Sequence, residues 1–188
     1  MNKIQKNAVT KDIYRYYGKN NLPLKMRIAL FLGLIPEIKY MIYFRKQQFS
    51  KTKLQKYYYK YKIFSIRKKT HIQIPPETEI GEGFYIGHSG RIIINGKAKL
   101  GKNINIATGV TIGQTNRGKK KGYPTIGNDV WIGTNAVIVG NIIIGDDVLI
   151  APNSYVNVDI PSHSIVLGNP ATIHHRENAT IGYINNKV

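Results

Sequence analysis

The stretch IGNDVWIGTNAVIVGNIIIGDDVLIAPNSYV, residues 126–156, carries an aliphatic side chain at every sixth position: Ile126, Ile132, Ile138, Ile144, Ile150 and Val156. A small residue follows most of them, at Gly127, Gly133, Gly145 and Ala151. A second, weaker position lies two residues earlier, at Val130, Ala136, Ile142, Val148 and Ser154. Towards the N-terminus the spacing recurs at Ile94, Leu100, Ile106 and Ile112 and, across a two-residue slip, at Ile74, Ile80 and Ile86. An antiparallel sandwich uses period-two strands of uneven length and has no cause to keep one phase over so long a run. A period of six calls for strands of two or three residues joined by corners, three units making a triangular coil of roughly 18 residues. The apolar residues fill the prism, the small ones let the chain turn closely, and coils stack about 4.8 Å apart by parallel pairing.

Outside the repeat the composition changes. The chain has 188 residues and a net charge of +18, from 28 Lys and Arg against 10 Asp and Glu. Residues 1–70 hold 18 of the basic residues with only Asp12 and Glu37 to oppose them, and 9 of the 13 tyrosines. The expected organisation is a basic helical capping and assembly region at 1–70, a β-helix at 71–173 and a C-terminal tail at 174–188. Helical spacing is expected around Lys11–Tyr17, Leu24–Leu34, Glu37–Gln48 and Leu54–Ile66, with Gly33 and Pro36 marking a break. Lysines interleaved with tyrosines suit an anionic membrane surface. Nucleic acid is the weaker partner, since no helix-turn-helix, finger or aromatic sheet motif is present. The longest apolar stretch, Ile28–Ile35, is eight residues and too short to span a bilayer. No secretory signal pattern opens the chain, so a cytoplasmic protein, touching the inner face of the membrane through residues 1–70, is expected.

Cysteine is absent, which excludes disulfides, thiolate metal ligands and a cysteine nucleophile. The five histidines are scattered without zinc-ligand spacing, so no metal is expected. His174-His175 is read as part of a solvated tail.

The interruptions of the repeat locate the chemistry. The first, Gly87-His88-Ser89-Gly90-Arg91, inserts two residues at a corner and puts a histidine there. The second, residues 114–125, reads QTNRGKKKGYPT and leaves the prism as a polar excursion with Gly118, Gly122 and Pro124. Loops projecting from a rigid scaffold are where sites usually sit. A histidine there suits general acid–base work, since an imidazole with a pKa of about 6.5 exchanges protons near neutrality. His88 is the candidate.

The pattern resembles the hexapeptide-repeat acyltransferases with a left-handed parallel β-helix, most of all the serine acetyltransferase-like branch and its short members among capsule and surface-polysaccharide genes. The resemblance covers residues 72–173. It implies a mainly β fold with preceding helices, left-handedness, a homotrimer and acetyl-CoA as co-substrate. It makes His88 the general base. For the donor it implies Thr111, Gly113, Gly133, Ala136 and Ala151, with Lys119, Lys120 and Lys121 at the phosphates.

Three departures accompany the resemblance. The aspartate that orients the imidazole in those enzymes is Gln73 here, whose amide oxygen can accept a ring N–H. The acid before the histidine is Gly87, and the Arg-His pair before the loop proline is Gly122-Tyr123. Gly87, Arg91, Arg117 and Tyr123 are therefore the candidates around the acceptor. Because two charged partners of serine are missing, the expected function is an acetyl-CoA-dependent O-acetyltransferase acting on a sugar hydroxyl of a surface-polysaccharide precursor. A serine O-acetyltransferase and a non-catalytic membrane-associated β-helix protein are the alternatives.

Overall fold

A computed structural model describes residues 3–188; Met1 and Asn2 of the basic region lie outside the described residues. All thirteen aliphatic repeat positions point inward, and none is more than 8% exposed. Each fully buried isoleucine contributes about 1.5–3 kcal/mol. The strands stack into the three faces of a left-handed parallel β-solenoid. The first face holds Ile72–Gln73, Ile92–Ile94, Thr111–Gly113, Val137–Val139 and Tyr155–Val156. The second holds Glu79–Ile80, Lys99–Leu100, Thr125–Ile126 and Ile143–Ile144. The third holds Tyr85–Ile86, Asn105–Ile106, Val130–Ile132, Val148–Ile150 and Ser164–Leu167, and is closed by antiparallel Thr172–His175.

The pairing register shows what the interruptions do. Ile126 pairs with Ile144 and Ile132 with Ile150, 18 positions apart. Ile80 pairs with Leu100 and Ile86 with Ile106, 20 apart, so the His88 corner adds two residues to one coil. Leu100 pairs with Ile126 and Ile112 with Ile138, 26 apart, so the excursion adds eight. Neither insertion disturbs the inward phase. Where the second face turns into the third, the backbones nearly touch: a Cβ at Gly81 or Gly101 would sit 2.5 Å from the carbonyl oxygen of the next coil. The following corners use Asn103, Asp129 and Asp147 at φ of 53–55°, residue types that tolerate the left-handed region.

A solenoid's first coil has an open edge of unpaired backbone groups. Here a helical layer covers it: α1 (Lys3–Tyr17) and α3 (Pro36–Gln48) lie against the coil, and α2 (Leu24–Leu32) and α4 (Lys53–Thr70) pack on α3. Pro36 starts α3, Thr52 caps α4 by accepting from the Gln55 N–H, and Gly33 ends α2 at φ 74°. Helix side chains take the place of a missing coil. The Tyr16 hydroxyl donates to the Ile86 carbonyl and accepts from its N–H, at 3.0 and 2.9 Å. Tyr40 does the same at Ile74, and burial pushes its phenol up to about 12. Arg45, 1% exposed, donates from Nη1 to the Ile80 carbonyl at 2.7 Å and from Nη2 to the Gly81 carbonyl. Its Nε meets Asp12 Oδ2 at 2.7 Å, while Asp12 Oδ1 accepts from the Phe84 N–H at 2.8 Å. Burial raises the Asp12 carboxyl and the guanidinium beside it pulls the other way.

The last segment departs from the expected solvated tail. Ala179, Thr180 and Ile184 are buried. The chain leaves the top coil at Arg176, whose N–H donates to the His163 carbonyl, and runs back down the prism. Asp147 receives the N–H groups of Ala179 and Thr180 and the Thr180 hydroxyl, and sits 3.0 Å from His163 Nδ1. Burial opposes its charge, but these hydrogen bonds hold the carboxyl down at about 2. Lower down, Asn105 Nδ2 donates to the Tyr183 carbonyl, Arg15 Nε to the Asn185 carbonyl and Asn103 Nδ2 to the Val188 carbonyl. His174 and His175 are exposed in the closing strand.

Candidate active site

The edge between the third and first faces carries a column of small residues: Gly87, Ala107, Gly133 and Ala151. Each donates its N–H to the coil above, Gly87 to Ile106, Ala107 to Ile132, Gly133 to Ile150 and Ala151 to Val166, at 2.8–3.0 Å. His88 stands at the foot of this column. Its side chain is exposed because the inserted residues push the corner outward, tied by the Gly90 N–H to the Thr70 carbonyl at 2.9 Å. Gly90 has φ 153° and a Cβ there would collide with Thr108 Oγ1, so the corner needs a glycine. Gly87 is different: a Cβ would find nothing closer than 3.6 Å.

His88 and Gly87 open into a cavity of about 370 Å³ walled by Tyr16, Tyr85, Asn105, Trp131 and Tyr183. Trp131 and Tyr183 meet edge to face, with ring centroids 4.9 Å apart. Arg15 closes the floor, donating from Nη2 to Asn105 Oδ1 and from Nη1 to the Gly83 carbonyl. At the neighbouring position Ser89 Oγ donates to Glu37 Oε2 at 2.9 Å, bringing a carboxylate from α3 to the histidine corner.

The sequence did not show these wall residues as a site. Asn105 and Trp131 stand at outward positions of repeat strands, where a polar or aromatic residue was the available signal. Arg15, Glu37 and Tyr183 come from outside the repeat and left none.

The excursion loop occupies another edge, between the first and second faces. Thr115 and Gly122 exchange backbone hydrogen bonds at its neck. Lys120 Nζ pairs with Asp159 at 2.8 Å, and its carbonyl accepts from the Asn141 N–H. Lys97 lies over the Tyr123 ring at 5.2 Å. Arg117, Lys119 and Lys121 are exposed. The candidate residues thus fall on two edges: His88, Gly87, Gly133 and Ala151 on one, Lys119–Lys121, Arg117 and Tyr123 on the other. Thr111 and Gly113 lie on the first face between them, and Arg91 is exposed beside His88.

Two candidates are placed differently from expectation. Gln73 lines a separate cavity with Tyr40, Phe64 and Arg67, and no hydrogen bond joins it to His88 among the described residues. The reason is topological: Gln73 lies under Ile93 on the first face, whereas His88 projects from the edge before that strand. Ala136 is wholly buried inside the prism, so its side chain is withheld from any donor and its carbonyl is spent on the Thr111 N–H.

Comparison with known proteins agrees with this architecture. The family model described as "Bacterial transferase hexapeptide (six repeats)" matches residues 123–157. Serine acetyltransferase of Helicobacter pylori is 39% identical over 102 residues, covering 54% of this chain and 60% of that protein. The structure of Neisseria gonorrhoeae serine acetyltransferase in complex with serine matches with TM-score 0.70 at 27% identity, over 92% of this chain and 70% of that one. Serine acetyltransferase isoform 3 of Entamoeba histolytica, in complex with cysteine, matches with TM-score 0.68 at 26% identity, over 96% of this chain and 64% of that one. The chain is a left-handed hexapeptide-repeat β-solenoid, similar to serine acetyltransferases.

The match has a limit of extent: this hexapeptide solenoid spans 60% of the length of the Helicobacter pylori relative. It also corrects the expected acceptor. A sugar hydroxyl on a polysaccharide precursor is overturned by the relatives, which are serine acetyltransferases, one of them solved with serine. The expectation rested on two missing charged partners of serine, at Gly87 and at Gly122. A carboxylate does stand near this corner, at Glu37, which comes from outside the repeat.

Proposed function

We propose that this chain is an acetyl-CoA-dependent O-acetyltransferase whose acceptor is the hydroxyl of L-serine. The observation that carries the reading is His88: an exposed imidazole, at the open end of a cavity and at the foot of a column of small residues. Its ring takes the proton from the serine hydroxyl as the oxygen attacks the thioester carbonyl. The tetrahedral intermediate then collapses, the C–S bond breaks, and the thiolate of coenzyme A recovers a proton from the imidazolium. The products are O-acetylserine and coenzyme A.

A pantetheine arm lying along the small-residue edge leaves its phosphates to be met by Lys119 and Lys121. Those lysines sit on the other edge of the same prism, which supports a donor groove formed where one prism faces the next in a threefold assembly. A thiol-release assay with acetyl-CoA tests the reaction. Thiol release that depends on L-serine and saturates with it is the expected result; release that ignores serine across the millimolar range overturns the reading.

The helical region supports attachment at the surface of an anionic bilayer. Among the described residues no helix is long and apolar enough to cross one. Yet α2 and the turn after it expose Leu24, Ile28, Phe31, Leu32 and Leu34, with Phe31 85% exposed. Leu54, Tyr57, Tyr61 and Phe64 are exposed along α4 among its lysines. Apolar side chains ringed by cations on a segment of net charge +16 match lipid tails beneath anionic headgroups. Co-sedimentation with vesicles rich in phosphatidylserine is expected at low salt, weakening as salt rises. The double variant F31S/L34S should bind at least about tenfold more weakly, from the apolar area withdrawn. Equal binding to purely neutral vesicles, or none to anionic ones, removes the attachment.

A further inference from the structure

L-Serine presents an ammonium group two bonds from the carbon that bears its hydroxyl. A site that selects it needs an anion within reach of the base. This requirement rests on the serine reading above, and the corner sequence does not meet it: positions 87–91 are Gly, His, Ser, Gly and Arg. The acid must come from elsewhere in the fold.

Three nearby carboxylates are already engaged or face away. Asp12 is fully buried, held by Arg45 and the Phe84 N–H. Glu82 is paired with Lys11. Glu77 lines the separate cavity that holds Gln73, against Gly96. Glu37 is different. It lies in the first turn of α3, half-buried, with Oε2 held at 2.9 Å by the hydroxyl of Ser89, the residue after the histidine. No basic side chain forms an ion pair with it among the described residues. Its charge also reaches the cavity wall. Burial is the main cause of the raised Tyr16 phenol, and the Glu37 carboxylate adds to it.

We propose that Glu37 is the acceptor-recognising carboxylate, binding the serine ammonium beside His88. Ser89 holds one carboxylate oxygen and leaves the other for the substrate. The acid thus reaches the corner from a helix 52 positions back in the chain, and residue 87 is free to be glycine. Specificity for an amino-acid acceptor is then a property of how α3 docks on the first coil.

The test compares E37Q with the wild-type enzyme under acetyl-CoA saturation. Removing one charge-assisted contact should raise the KM for L-serine about tenfold or more, with kcat changed far less and the KM for acetyl-CoA unchanged. An acceptor with the hydroxyl but no ammonium, 3-hydroxypropionate, should be turned over equally by both. Gly87 has room for a side chain, so the double variant E37Q/G87D should recover affinity for serine. E37D, which keeps the charge one methylene back, should fall between wild type and E37Q and covers the case in which E37Q folds poorly. Wild-type serine turnover with an unaltered serine KM in E37Q overturns this inference alone. Absence of serine turnover in the wild type overturns the serine reading and this inference with it.

Discussion

Replacing His88 by alanine is expected to lower kcat for acetyl transfer by about 10²–10⁴-fold, the range lost when a positioned general base is removed. The fold should be untouched. The imidazole is exposed, and no hydrogen bond within the described residues depends on it, so its loss strands no buried partner and opens no void. Circular dichroism and melting temperature should therefore match the wild type while thiol release collapses. Serine should still bind through the rest of the site, leaving its KM within a few-fold of the original. An H88A enzyme that keeps near-full kcat removes the residue from the chemistry and with it the role assigned to this corner.

The largest effect on stability should come from Arg45→Met. The side chain bridges α3 to Asp12 on α1 and to two carbonyls on the open edge of the first coil. Methionine fills much of the volume but leaves the Asp12 carboxylate buried without its partner and the Ile80 and Gly81 carbonyls without donors. Removing one member of a buried pair typically costs about 3–5 kcal/mol. In a domain of this size that lowers the melting temperature by roughly 6–20 °C. The double variant D12L/R45M should be more stable than R45M, because it removes the stranded charge as well. Thermal or urea unfolding checks both. An R45M protein within 1 kcal/mol of wild type, a bound set on the same scale, would mean that the helices do not seal the coil through this residue.

The solenoid was legible because its signal repeats. Twelve of the thirteen inward aliphatics fall one to a strand from Glu79–Ile80 to Tyr155–Val156, and all thirteen proved buried. The lengths of the interruptions could also be read, since any insertion must return the chain to the inward phase. What could not be read was the matching of non-repeating side chains to the solenoid. Arg15 and Arg45 look like two more cations in a segment of net charge +16, yet both are buried against carbonyl oxygens. Tyr16 and Tyr40 read as interfacial aromatics, yet they complete the hydrogen bonding of Ile86 and Ile74.

The same limit applies at the candidate site. His88 was visible because it breaks the period. Its neighbours were not: Gln73 was matched to it through the resembled family's motif, whereas the topology sends the two to different cavities. Glu37 is remote in sequence and carries no pattern of its own, so its approach to this corner could not be read. The C-terminal segment lacks hydrophobic periodicity, and only the left-handed Asn and Asp corners, which offer it their side chains, reveal where it docks.

That docked segment alters how the molecule can come apart. In an open stack each coil touches only its neighbours, so an end coil can fray while the rest stands. Here the polypeptide that leaves the top coil is fastened at Asp147, again at Asn105 and finally to Arg15 of the first helix. Peeling the top coil therefore pulls on contacts at the opposite end, and loosening the first helix releases the strap that crosses every coil above it. Within the described residues the first helix and the last segment hold each other, so the stack comes apart as a closed circuit, by breaking contacts at both of its ends together.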